Sequence, residues 1–205
     1  PGRAEDGTTV TAARTRLEPS VRRELILDAA ERVLADRMPS EVTFEEIADA
    51  AGVSRGLVYN YFRDRTALMV ALTTRALADL DDRIDRAFEP GSDRRSQVVA
   101  LGRAYRRHAA THAATWRLLS RSGLLDHPTI QGSRSARVER IAAHWGGDAH
   151  ARLVAWSITG LYELAGVSPM PRGASQDDLT RFVTDVIVPD LAPPSPSRSP
   201  GTDRT

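Results

Sequence analysis

An all-α fold is what this sequence predicts, and two observations predict it. Apolar residues recur at three- and four-residue spacing through most of the chain. No pair of alternating segments joined by a hairpin turn interrupts them, so no strand pair is expected. A third observation divides the fold. A helix, a tight turn and a second short helix stand near the N-terminus, and a longer helical remainder comes after them. The expected architecture is an N-terminal three-helix helix-turn-helix domain over 19–64 and a C-terminal helical domain over 65–191, whose first helix is the connector.

Residues 1–18 are polar and lack an apolar centre, so they read as a flexible arm and not as a secretory leader. Over 20–37, Leu25, Ile26, Ala29, Ala30, Val33 and Leu34 make one helical stripe, and Pro39 breaks the chain after it. A second helix covers 43–51. Its Thr43 and Glu46 stand at capping-box spacing, which satisfies free amides at a helix start. Gly52 supplies the turn, and Ser54 caps a third helix over 55–62. Asp64 caps a fourth, which runs through Leu68, Leu72, Leu77 and Leu80 to about Phe88.

Glu89-Pro90-Gly91-Ser92 is a break. Helices are then expected over 95–114 and 115–122, a turn over 123–128, and helices over 133–145 and 149–166. A loop with Pro169 and Pro171 precedes a last helix over 176–191, with Leu179, Phe182, Val183, Val186 and Ile187 at helical spacing. The segment 192–205 holds Pro193, Pro194, Pro196 and Pro200 among Ser and Arg, and is expected to be disordered.

Composition excludes several classes. The chain has 205 residues, 41% of them hydrophobic, and no cysteine, so neither a disulfide framework nor a thiolate metal site is available. No apolar run approaches the ~20 residues that span a bilayer. A cytoplasmic protein with no membrane partner is expected. There is no Gly-rich phosphate loop or H-E-x-x-H, so an enzyme is not expected, nor is a cofactor. His108 and His112 lie four apart on a helix, a metal-binding spacing, but with no Cys and few acids nearby no metal is expected.

Net charge is +1, so bulk charge does not announce a nucleic-acid binder. Over 14–66 there are nine Arg and ten Asp plus Glu. The local pattern says more. From Thr43 to Phe62, Ile47 and Ala48 pack inward from the first helix, Val53 plugs the turn, and Val58 and Phe62 pack back from the second. The opposite face of the second helix then holds Arg55, Gly56, Tyr59, Asn60 and Arg63, with no acidic residue. Such a helix can enter a major groove.

These residues resemble the TetR family of bacterial repressors. The family's signature stands here as Ile47-Ala48, Ala51-Gly52-Val53-Ser54, Gly56, Val58-Tyr59, Tyr61-Phe62, Asp64-Arg65 and Leu68, after a typical first helix at 25–30. The close match covers about 20–72. The resemblance implies that Thr43 and Arg65 contact phosphate, that Ser54 and Arg55 open a recognition helix, and that Gly56 lets DNA come near. It implies that Tyr59 and Tyr61 touch phosphate or a thymine methyl. Leu57 departs from a usual Thr or Ser, and Asn60, at a variable position, reads adenine or touches backbone.

The C-terminal part is expected to form a homodimer and to bind a small-molecule effector. The wide apolar stripes of 149–166 and 176–191 nominate Leu153, Leu161, Leu179, Phe182, Val183 and Val186 for a dimer interface. Tyr105, Trp116, Leu118, Leu119, Trp156 and Tyr162 either line an effector pocket or form solid core. Arg103, Arg106, Arg117 or His112 would supply its polar groups and favour a neutral or anionic ligand. The expected function is a repressor released from a palindromic double-stranded operator by its effector. The alternative is a constitutive or architectural DNA-binding dimer without an effector.

Overall fold

The computed structural model describes residues 18–35 and 37–188, without the side chains of 118 and 120–122. The expected arm (apart from residue 18) and the expected tail lie outside these residues, as do the last residues of the expected final helix, 189–191.

Helix α1, Pro19–Leu34, opens on a proline, whose missing N–H is no loss in a first turn. It buries Ile26, Leu27, Ala29, Ala30 and Leu34. Leu25, expected in that stripe, is 38% exposed. It lies five residues from the central Ala30, about 140° around the helix, and Leu27 takes its place. A 3₁₀ turn, Pro39–Glu41, leads to α2, Phe44–Ala51, and α3, Arg55–Tyr61. Helix α4, Arg65–Asp85, starts where Asp64 accepts the Ala67 amide at 2.8 Å.

Helices α5, Arg94–Thr111, and α6, Ala113–Ser122, are separated by His112 alone, whose ψ of 36° ends the first one. A 3₁₀ turn, Leu124–Asp126, precedes α7, Pro128–His144, which begins five residues before its expected start. The sequence presents Pro128 as a turn residue, but it occupies the first helical turn, while His127 Nδ1 accepts the Thr129 amide at 3.3 Å. Helix α8 is Ala149–Val167. Helix α9, Gln176–Phe182, passes into a π-helical turn, Val183–Ile187, where one continuous α-helix is expected. Among the described residues there is no strand, so the fold is all-α.

A single connected core runs from Ile26 to Val188 and joins the first three helices to the rest. Three ties bind α1 to the helices behind it. Arg75 of α4 reaches Glu24, Asp28 and Glu31, one acidic row on α1, at 3.2, 2.6 and 2.6 Å. Arg117 of α6 donates to the Ala35 carbonyl at the end of α1. His112 lies 3.1 Å from Asp79 of α4 and 3.5 Å from Glu31.

His108 is 1% exposed. Its Nε2–H donates to the Ala76 carbonyl at 2.7 Å, and its Nδ1 accepts the Trp116 indole N–H at 3.1 Å. Burial pushes the imidazole down to about 4, with His112 and Arg83 adding to the shift and Ala76 and Asp79 opposing it. An unfolded chain binds a proton here that the folded one refuses. Stability is therefore complete above the free value of 6.5 and is lost as pH falls toward 4. We expect a loss on the order of 3 kcal/mol from this group, read from denaturant midpoints between pH 7 and pH 4.5. His108→Gln should lose that part of the pH dependence, and an unchanged profile would refute the assignment.

Candidate nucleic-acid interface

The turn between α2 and α3 is set by caps. Thr43 Oγ1 accepts the Glu46 amide at 3.2 Å, and the Glu46 carboxylate accepts the Thr43 amide at 2.7 Å. Arg37 reaches that carboxylate at 2.7 Å and, with Thr43, holds it down at about 2. Gly52 ends α2 at φ 66°, a conformation that other residues resist. Ser54 Oγ accepts the Leu57 amide at 3.2 Å and starts α3. Ile47, Ala48, Val58 and Phe62 are buried and Val53 is half-buried against them, which fixes how α3 sits on α2.

That packing turns one face of α3 outward. Ser54, Arg55, Gly56, Tyr59 and Asn60 are all exposed, as is Arg63 beyond the helix. Phe44 supports Tyr59 from behind, with ring centroids 4.9 Å apart, and the Arg55 guanidinium lies 5.6 Å over the Tyr59 ring. Thr43, Arg55, Tyr59 and Arg65 share one open concavity of about 450 Å³. Arg65 also donates to the Val42 carbonyl at 2.8 Å, so it ties the start of α4 to the start of α2. Leu57 and Tyr61 stand apart from this row: both are half-buried, and Tyr61 packs on the core. Arg55 has an acidic neighbour that its own helix does not reveal, since Glu45 of α2 comes within 3.9 Å.

The candidate effector residues separate. Trp116 and Leu119 line a cavity of about 230 Å³ bounded by α4, α6, α7 and α8. Tyr105 and Tyr162 do not line it. They stack on each other in the core with centroids 5.2 Å apart, and Tyr162 fills the space beside Gly102, where an added Cβ would meet its hydroxyl at 2.5 Å. Trp156 is 56% exposed, so it is not a pocket residue of this chain. Helical spacing puts it with Leu153, three residues before it, and Leu164, eight after it, and both of these are exposed as well.

The candidate dimer residues separate too. Leu153, Phe182 and Val186 are exposed, and Trp156 and Leu164 join them as exposed apolar side chains of α8. Leu161 and Leu179 are half-buried beside an apolar groove of about 410 Å³ between α8 and α9. Val183 is fully buried and belongs to the core instead, because the π-helical turn carries it inward.

Two features are not evident from the sequence. Arg137 of α7 is completely buried, although Ile130, Arg134, Arg137 and Ile141 follow helical spacing and so place both arginines on an apolar stripe. Asp79 joins His108 and His112, with ligand atoms of all three within 4.8 Å of one another. Both ring nitrogens of His108 are already in hydrogen bonds, so a metal there would have to displace Trp116 or Ala76.

Known proteins resemble this chain. Residues 26–72 match the family described as "Bacterial regulatory proteins, tetR family". The chain is 39% identical over 85 residues to the HTH-type transcriptional regulator BetI of Rhizobium meliloti, an alignment covering 42% of this chain and 41% of that one. It is 26% identical over 182 residues to the HTH-type transcriptional activator FasR of Mycolicibacterium smegmatis, covering 82% and 83%. The chain spans about half the length of the curated relatives it matches at 35–39% identity, 41% and 56% in two cases. A solved tetR-family regulator from Streptomyces coelicolor superposes with a TM-score of 0.66 at 26% identity, covering 83% of this chain and 80% of that one. These relatives are all described as transcriptional regulators or activators. Over residues 26–72 the chain resembles the TetR family of bacterial regulatory proteins.

Proposed function

We propose that the protein is a one-component transcriptional regulator that binds operator DNA as a homodimer through α3 and is released by a small effector. The observation that carries the DNA contact is Gly56. It lies inside a helix with an ordinary backbone, and a Cβ built there meets nothing within 4 Å. Among the described residues nothing crowds a side chain at this point, and glycine is a weaker helix former than alanine. A backbone that must approach DNA closely accounts for it. In this reading Thr43, Arg65 and Tyr59 hold phosphates while Arg55 and Asn60 face base edges, and the half-buried Leu57 offers DNA only its exposed part. Tyr61, half-buried, contributes mainly through its exposed rim.

The division of labour places DNA binding in 19–64 and effector binding and dimerisation in 65–191. Two copies of α3 must sit about one DNA turn apart, roughly 34–36 Å, or a multiple of it. An effector releases DNA by binding better to a dimer with another spacing. The cavity touches α6 through Trp116 and Leu119, and α6 grips α1 through Arg117. Activation in place of repression is a second reading, favoured by the likeness to FasR over most of the chain.

DNA selection with the purified full-length chain at stated salt tests the proposal, followed by three variants on the selected site. Gly56→Ala should leave stability unchanged or higher and still weaken DNA binding. Tyr59→Ala should cost roughly 1–3 kcal/mol of specific affinity. Arg65→Ala should weaken binding to all sequences and lower the salt slope by about one. Unchanged DNA affinity in all three folded variants would remove α3 as the reading helix. A reporter carrying the selected site separates repression from activation.

A further inference from the structure

The wall of the cavity beside α6 is not purely apolar. Leu77, Trp116, Leu119 and Ile130 supply most of it, and the exposed Leu125 and Leu164 lie at its rim. Arg134 and Arg137 of α7 also line it, against a single acid, Glu163 of α8. Glu163 is already engaged, with Arg134 Nε at 2.8 Å and Arg137 Nη1 at 3.3 Å. Arg137 Nε donates to Asp81 of α4 at 2.6 Å. Its Nη2 is buried and has no acceptor. A buried guanidinium nitrogen without a partner is costly, and buried polar groups are otherwise almost always bonded. Here the unpaired donor belongs to a fully buried side chain on the cavity wall.

We propose that this cavity binds a small organic anion, an apolar body bearing one carboxylate that accepts from Arg137 Nη2. The inference deepens the effector reading above and rests on it for its regulatory meaning, though not for binding itself. Arg134 and Arg137 put two guanidinium groups on the wall, while Asp81, which balances Arg137 at 2.6 Å, does not line the cavity, so donors outnumber acceptors where the ligand would lie. Burial raises Glu163 from the ordinary carboxylate value, with Arg134 and Arg137 opposing the shift. The volume of about 230 Å³ lies below the usual range for drug-sized ligands, so the body is short. Its carbon skeleton lies against Trp116 and Leu119, the α6 residues on the helix that holds α1.

The test uses the full-length wild-type protein without DNA. Hexanoate, octanoate and benzoate are titrated by calorimetry and by Trp fluorescence, each beside its primary amide, which has nearly the same shape and no charge. Charge-assisted bonding to Arg137 should make at least one carboxylate bind roughly ten- to a hundredfold tighter than its amide. Gly160→Val locates the site without removing a charge. Gly160 lines the cavity, and an added Cβ there meets only the far end of the Arg134 side chain, at 3.3 Å. This variant should fold and lose carboxylate binding. Amides that bind as tightly as carboxylates, carboxylate binding that survives Gly160→Val, or no binding by either class would each overturn the inference. The regulator reading fails separately: carboxylates that bind a protein which selects no DNA would sink that reading alone.

Discussion

Phe182→Glu should convert a dimer into a monomer and lower operator affinity by at least about a hundredfold. Phe182 is 48% exposed and Val186 59%, and Leu153, Trp156 and Leu164 of α8 are each more than half exposed. Five large exposed apolar side chains on α8, α9 and the turn after it are of the kind that marks an interaction surface. A second copy of the chain is the occupant that the regulator reading requires. In a two-fold interface each substitution acts twice, and each glutamate would be buried without a partner. Losing the dimer removes the linkage between two α3 helices, which contributes roughly 10²–10⁴ in avidity. Sedimentation at micromolar concentration and DNA titration at one salt check both halves. Val186→Glu should behave alike. Val183 is no substitute target, because it is fully buried and its replacement would disturb the fold itself. A Phe182→Glu protein that remains dimeric would remove α9 from the interface.

The N-terminal helices are legible in the sequence because short-range rules govern them. Thr43, Ser54 and Asp64 cap helices by bonding amides three residues away, and Gly52 turns where a left-handed residue is needed. Such bonds depend on neighbours in sequence, so spacing alone reveals them. The outward row on α3 follows from helical geometry once Val58 and Phe62 are buried. Glu45 beside Arg55 escapes such rules because it comes from another helix.

The C-terminal half is less legible for the same reason. An apolar helix with residues on several faces does not say which face meets the core and which a second chain. That ambiguity assigns Trp156 to the pocket and Val183 to the surface, and the packing of α8 and α9 reverses both. Tyr105 and Tyr162 carry a pocket's chemistry but find each other first. Charge misleads in the opposite direction. Arginine suggests solvent, yet Arg137 is buried because Asp81 lies 56 residues before it and Glu163 26 after it, and only the fold assembles them.

Arg137→Leu should destabilise the protein by about 3 kcal/mol. Breaking a buried pair by removing one partner typically costs about 3–5 kcal/mol, because the remaining charge is left in a medium that solvates it poorly. Here two carboxylates lose their guanidinium at once, Asp81 at 2.6 Å and Glu163 at 3.3 Å. Neither is wholly abandoned. Arg140 remains 3.6 Å from Asp81, and Arg134 remains 2.8 Å from Glu163, which places the cost at the lower end. The Leu side chain is also shorter and leaves space around it, which adds a cavity term. Denaturant unfolding at one fixed protein concentration measures the change, since a dimer's stability depends on concentration. The triple variant Asp81→Asn, Arg137→Leu, Glu163→Gln should recover a large part of the loss, because no half-buried carboxylate is then left short of its partner. An Arg137→Leu protein within about 1 kcal/mol of wild type would show that the guanidinium does not hold α4, α7 and α8 together; a triple variant no better than the single one would show that shape, and not charge, sets the cost.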